Sequence, residues 1–249
     1  MSDRRAQLLH AMGLGPRWVL RASAAAHVES PEAASAVALA SVPTLVATDS
    51  NRVDAIALMQ WPELKAAVAG CQACALCKTR TQAVFGVGDE RAELMIVGEA
   101  PGAEEDARGE PFVGQAGRLL DNMLATIDIR RPNNIYIANV LKCRPPGNRN
   151  PAPLEVASCS PHLVRQIALV KPRLIVAMGR FAAQTLLATD ASIASMRGRK
   201  FQYQGVPLII TYHPAYLLRN LPDKSKAWED LVFVRRTLVE LAGAQRREP

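Results

Sequence analysis

The sequence predicts an α/β domain of three layers, α/β/α, built on a central, mostly parallel four-stranded sheet. Two observations predict it. Residues 94–97, 135–140, 174–178 and 208–212 are short apolar runs rich in Ile and Val, the continuous hydrophobicity of strands buried on both faces. Helix-like stretches separate these runs, and strands alternating with helices build a parallel sheet with helices packed over it.

From the N-terminus, residues 1–20 hold a short amphipathic segment with Leu8, Leu9, Met12 and Leu14, followed by Pro16 and Trp18. Residues 22–50 are rich in Ala, Ser, Val, Pro and Thr, a composition that buries too little apolar surface to order itself and reads as a flexible linker. The chain therefore divides into an N-terminal extension, residues 1–52, and a domain, residues 53–249. Val53, Ile56, Ala57, Met59, Leu64 and Val68 recur at helical spacing and suggest one helix over 53–68 despite Pro62. Further helices are expected at 115–127, 154–170, 181–187 and 227–241. The last carries Trp228, Leu231, Val234, Leu238 and Leu241. No internal repeat is present.

Thirty Lys and Arg against 23 Asp and Glu leave a formal charge of +7. A basic excess favours a polyanionic partner but does not separate DNA from RNA or an acidic protein. No apolar run reaches the eighteen residues of a membrane span. Gln7, His10 and Gly13 interrupt what would be a signal-peptide core after Arg4 and Arg5. A cytoplasmic protein is expected, with no membrane partner.

In open α/β sheets the reactive loops follow the C-terminal ends of the strands. Three of the expected strands end in unusual polar sequences. The first runs into Gly98, Glu99, Ala100, Pro101 and Gly102. The second reaches Asn139 and then Lys142, Cys143, Arg144 and Pro145. The last is followed by His213, Pro214, Ala215 and Tyr216. These loops should converge on one rim of the sheet and form a pocket there.

The five cysteines are Cys71, Cys74, Cys77, Cys143 and Cys159. Clustered cysteines in a cytoplasmic chain point to a metal or redox site rather than to disulfides. Cys71 and Cys74 form a C-x-x-C pair, and Cys143 and Cys159 can complete four-coordination from distant loops. Either Zn²⁺ or a [4Fe–4S] cluster accepts four thiolates. Cys77 overlaps as a second C-x-x-C and could replace Cys71, and spacing does not decide between them.

Three segments carry a resemblance to a known family. The stretch Gly98, Glu99, Ala100, Pro101, Gly102, Ala103, Glu104, Glu105, Asp106, with Pro111, Phe112, Val113 and Gly114 beyond it, resembles the first signature of family 4 uracil-DNA glycosylases. Asn139, Lys142, Cys143, Arg144, Pro145, Pro146, Asn148 and Arg149 resemble the middle signature, and His213, Pro214, Ala215, Tyr216, Leu217, Leu218, Arg219 and Asn220 the third. The likeness covers roughly residues 70–240, in order and with compatible spacing. It implies an α/β/α fold, a [4Fe–4S] cluster on Cys71, Cys74, Cys143 and Cys159, and hydrolysis of the N-glycosidic bond of uracil in DNA. The partner it implies is uracil-containing DNA, in single or double strands. A monomer is expected, and residues 1–20 could dock on another repair or replication protein.

The resemblance also implies roles for residues. A uracil nucleotide is flipped out of the helix into a pocket, at a cost of a few kcal/mol. Phe112 would stack on the base. Asn139 would pair with its polar edge through one donor and one acceptor. Glu105 would stand near C5, where it would reject a thymine methyl. His213 would donate to the uracil O2 as the leaving group becomes an anion. Glu99, with the Ala100 carbonyl, would place the attacking water. Leu217 or Leu218 would wedge into the minor groove, and Arg144, Arg149 and Arg219, with Arg197, Arg199 and Lys200, are candidate phosphate contacts. No motif lysine is placed as a Schiff-base nucleophile, so cleavage without strand scission is expected. Family 5 relatives act on other deaminated bases, but their first motif lacks the residue at Glu99.

Overall fold

The structure, a computed structural model, describes residues 47–245. The candidate docking segment at residues 1–20 lies outside the described residues. Among those described, no helix is long and apolar enough to cross a membrane.

The four expected strands form the centre of a six-stranded sheet. In chain order the strands are β1 (Val87–Gly88), β2 (Leu94–Gly98), β3 (Ile135–Asn139), β4 (Leu174–Met178), β5 (Phe201–Tyr203) and β6 (Val206–Thr211). They lie side by side as β1-β3-β2-β4-β6-β5. The β3–β2, β2–β4 and β4–β6 pairings are parallel. The two strands not foreseen, β1 and β5, close the edges in antiparallel pairing. Short antiparallel edge strands end a sheet without leaving a long template for another chain.

Side chains alternate between the faces with period two, yet both faces are buried. Met95, Val97, Tyr136, Ala138, Ile175 and Ala177 join one core, whereas Leu94, Ile96, Ile135, Ile137, Leu174 and Val176 join the other. Each fully buried Leu or Ile contributes about 1.5–3 kcal/mol. The sheet is therefore the rigid body from which the loops hang.

The nine helices of the described residues are α1 (Ala47–Leu58), α2 (Trp61–Ala69), α3 (Ala103–Arg108), α4 (Gln115–Ala125), α5 (Pro153–Val170), α6 (Arg180–Leu187), α7 (Ile193–Met196), α8 (Pro214–Arg219) and α9 (Lys224–Gln245). One face of the sheet is covered by Leu163 and Ile167 of α5 and Ala182, Ala183 and Leu186 of α6. The other is covered by Leu120 and Leu124 of α4 and Leu231 and Val234 of α9. This is the three-layer arrangement expected.

The single helix foreseen over 53–68 is two helices, because Pro62 in the first turn of α2 has no N–H to extend α1. Glu63 accepts from the Gln60 backbone N–H at 3.0 Å and so caps α2. The helix α1 runs through residue 52, where the sequence placed the start of the domain. The pair is tied to α5: Arg52 donates to the Ser158 carbonyl, and Arg165 Nε donates to the Met59 carbonyl at 2.6 Å.

The chain passes from β2 to β3 on one side and then to β4 on the other. This reversal opens a crevice at the C-terminal ends of the strands, where ligands bind in such sheets.

Candidate active site and cysteine cluster

A cleft of about 690 Å³ occupies that crevice. Glu99 and Ala100 line it from the end of β2, Asn139 from β3, Gly179 from β4 and His213 from β6. Glu105 enters from α3 and Phe112 from the segment between α3 and α4. All six pocket residues expected from the sequence, Glu99, Ala100, Glu105, Phe112, Asn139 and His213, therefore share one cavity with Gly179.

Asn139 is the last residue of β3 and is 3% exposed. Its Oδ1 is buried without a hydrogen-bond partner. An orphaned buried acceptor costs about 1–3 kcal/mol, and a ligand N–H removes that cost. Gly98 makes the position possible, since a Cβ there would fall 2.3 Å from Asn139 Oδ1 and 2.8 Å from Phe112 Cζ.

Phe112 is 5% exposed and packs both in the core and on the cleft. Its φ of 55° lies in the left-handed region, which costs a bulky residue about 1–2 kcal/mol. Two side chains, Glu105 and Arg131, offset that strain. Glu105 Oε1 accepts from the Val113 and Gly114 N–H at 3.0 and 3.2 Å, and Oε2 accepts from Gly102 N–H at 3.1 Å. Arg131 donates to the Pro111 and Phe112 carbonyls at 3.2 and 3.0 Å. Asp121 holds Arg131 in turn, accepting from Nε at 2.7 Å. Glu105 thus lines the cleft with its carboxylate already bound to backbone. Arg131 carried no signal in the sequence. Gly117 completes the loop, because a Cβ there would lie 1.8 Å from the Phe112 carbonyl oxygen. Gly117→Ala is expected to destabilise the protein by about 3 kcal/mol or more, measured by urea unfolding.

His213 is the N-cap of α8, and its Nδ1 accepts from the Ala215 N–H at 3.1 Å. The neutral ring therefore carries its proton on Nε2, as a donor. Its ring stacks on Phe112 with centroids 5.4 Å apart. Gly179, at φ 93°, lets the two strand ends meet, since a Cβ there would lie 2.9 Å from His213 Cβ. Burial pulls the His213 pKa down to about 4, with Glu105 opposing and Arg219 reinforcing the shift. The unfolded chain thus binds a proton between pH 6.5 and about 4 that the folded chain refuses. Stability from this group is full above pH 6.5 and is lost as pH falls towards 4. Urea unfolding across that window should show a shallower loss in His213→Gln than in the parent protein.

Burial also raises the Glu99 pKa, against the lowering effect of Arg180. A carboxylate so placed holds a proton more firmly than one in water, which suits a base or a water-orienting group.

The candidate DNA contacts divide. Leu217 is 1% exposed and belongs to the core, so it is not a wedge. Leu218, one position round α8, is 39% exposed and is the one that can reach DNA. Arg219 and Arg149 line the cleft. Arg149 also forms a two-pronged pair with Glu155, at 2.9 and 2.6 Å. Arg144 donates to Asn148 Oδ1 at 2.8 Å. Arg197 is held by Asp230 at 2.8 Å and Lys200 by Glu240 at 2.9 Å, and Arg199 lies over the Phe201 ring.

Behind the cleft, all five cysteines line one small cavity. Cys71 and Cys74 follow α2, and Cys143 follows β3. Cys159 comes from helix α5 rather than from a loop. Arg80 Nη1 donates to Cys143 Sγ at 3.0 Å, and the Lys142 backbone N–H donates to Cys159 Sγ at 3.3 Å. Burial raises the Cys74 and Cys143 thiols, and takes Cys159 to about 11. Such thiols ionise when a metal takes the proton's place. Among the described residues, no three His, Cys, Asp or Glu side chains converge as ligands of one ion. A [4Fe–4S] cluster would be held by four cysteine thiolates. Thiols around one cavity, backed by N–H donors, suit that kind of group. Lys142, quoted in the sequence motif without a role, lies between this cavity and Asn139. Its Nζ is buried, and burial lowers its pKa to about 8 while Cys159 and Cys143 oppose.

Residues 85–232 match the family described as the uracil DNA glycosylase superfamily. The chain is 48% identical over 159 residues to the type-4 uracil-DNA glycosylase of Archaeoglobus fulgidus, covering 61% of this chain and 79% of that protein. Against that of Pyrobaculum aerophilum the identity is 42% over 183 residues, 70% of this chain and 93% of the relative. Against that of Sulfurisphaera tokodaii it is 42% over 176 residues, 68% and 80%. On these likenesses the chain belongs to the uracil-DNA glycosylase superfamily and, within it, to the type-4 uracil-DNA glycosylases.

Proposed function

We propose that this protein hydrolyses the N-glycosidic bond of uracil in single- and double-stranded DNA and so starts base-excision repair. The observation that carries the reading is the buried, unpaired Oδ1 of Asn139 in a cleft that also holds Phe112 and the Nε2–H of His213. Asn139 accepts from uracil N3–H and donates to O4, a pairing that thymine shares and cytosine does not. Phe112 supplies the stacking face. Glu105 stands where a C5 methyl would come and, through the Val113 and Gly114 amides, fixes the loop that carries Phe112.

As the bond breaks, negative charge gathers on the uracil ring. His213 meets it at O2 as a neutral donor already oriented by Ala215, and such a preorganised donor is worth about 3–4 kcal/mol in the transition state. Glu99 and the Ala100 carbonyl place the water that attacks the sugar. Leu218 fills the space left in the helix, and Arg144, Arg149 and Arg219 face phosphates. Lys142 is buried outside the lining of the cleft, its Nζ donating to the Asn139 carbonyl and to Gln166 Oε1, which agrees with hydrolysis without a Schiff base or strand scission.

Cys71, Cys74, Cys143 and Cys159 would hold a [4Fe–4S] cluster. When bound, the cluster supplies a cross-link between the segment after α2, the segment after β3 and helix α5. Cys77 remains beside it as a spare thiol. The protein acts in the cytoplasm as a monomer.

The test is incubation of purified protein with oligonucleotides carrying one uracil, followed by heating in alkali. Cleavage at uracil and at no thymine or cytosine supports the reading. Tight DNA binding with every oligonucleotide intact would make the protein a binding module instead.

A further inference from the structure

Lys142 is 2% exposed and is among the largest fully buried side chains. Its Nζ donates to the Asn139 carbonyl oxygen at 2.8 Å and to Gln166 Oε1 at 2.6 Å. Gln166, itself 0% exposed, is fixed from its other end, since Nε2 donates to the Phe85 carbonyl at 2.9 Å and to Tyr136 Oη at 3.2 Å. The backbone of Lys142 is held as well: its N–H donates to Cys159 Sγ, and its carbonyl accepts from Val84 N–H at 2.8 Å. Among the described residues no carboxylate pairs with it. A buried ammonium in that setting is costly relative to a methionine of similar volume. Stability alone therefore does not account for a lysine here.

The ammonium does have one effect on the cleft. It closes a short loop onto the peptide of Asn139, where the chain leaves β3 and the side chain must present its amide. On the other side, Val140 and Leu141 N–H donate to the Gly98 and Glu99 carbonyls at 2.9 and 3.0 Å. The Asn139 peptide is thus gripped from both sides.

We propose that Lys142 is the positioning residue that holds Asn139 against the uracil edge and links the cysteine cavity to the base pocket. This rests on the uracil reading above. The test compares Lys142→Met, Asn139→Ala and the double variant as cluster-loaded proteins, with loading checked by visible absorbance. Affinity is measured for DNA carrying a non-cleavable 2′-fluorodeoxyuridine and for DNA carrying an abasic site, which has no base to read. Lys142→Met should weaken the uracil probe about tenfold, leave abasic DNA within about twofold, and add less than about twofold in the Asn139→Ala background. Equal weakening on both DNAs, or full additivity with Asn139→Ala, would overturn the proposal. If Lys142→Met does not retain its cluster, Gln166→Leu replaces it. That variant keeps the lysine and removes one acceptor, so the uracil probe alone should weaken, by about threefold, and equal weakening on both DNAs again overturns the idea. The parent protein is the separating control: failure to excise uracil there defeats the functional reading, whereas normal excision with an indifferent Lys142→Met defeats only the positioning role.

Discussion

His213→Ala is expected to slow single-turnover uracil excision by about 10²–10³-fold, the loss seen when one preorganised donor to a developing anion is removed. The loss should fall on the chemical step rather than on binding. The Nε2 proton is fixed by the Ala215 bond to Nδ1, and burial holds the ring neutral well below pH 7. The donor therefore stands ready in the ground state and strengthens only as charge arrives on the base. Rapid-quench rates and affinity for abasic DNA, measured side by side, check this. A variant that binds poorly but cleaves at the parent rate once saturated would place His213 in binding instead.

Cys159→Ala carries the second large effect. Cys159 is 8% exposed, comes from the middle of α5 and accepts from the Lys142 N–H. Its loss would remove one of the four cysteines proposed to hold the cluster and unfasten α5 from the segment that follows β3. The purified variant should lack the brown colour and most of its iron and sulfide. Its thermal unfolding should show a destabilisation of several kcal/mol, since metal binding free energy is folding free energy in such sites. Iron analysis and calorimetry on the same preparation check both. A colourless variant with unchanged unfolding would mean that the cluster is a passenger.

The central sheet was legible because strands buried on both faces leave unbroken apolar runs, as in Leu94–Gly98 and Leu174–Met178. The edge strands were not, because Val87–Gly88 has two residues and Phe201–Tyr203 three, too few to show a period. The cleft residues were legible through their motifs and strand-end positions. What escaped was long-range or depended on helical phase. Arg131 reaches Phe112 from 19 positions away, and Gln166 reaches Lys142 from 24, with no local pattern to announce either contact. The choice between Leu217 and Leu218 depends on the phase of a six-residue helix, shorter than two turns. The motif assigns Glu105 a single role at the base, whereas its hydrogen bonds run to backbone, to Gly102 at the start of its own helix and to Val113 and Gly114 beside Phe112.

The most direct measurement is the ratio of single-turnover rates on uracil and cytosine oligonucleotides for the parent protein and Asn139→Asp. A carboxylate accepts but cannot donate to uracil O4, and it can accept from the amino group of cytosine. The uracil rate should fall by about 10²-fold or more, with the uracil-to-cytosine ratio falling with it, while the colour of the protein is unchanged. An undiminished uracil rate in that variant would show that the base is read somewhere other than at Asn139.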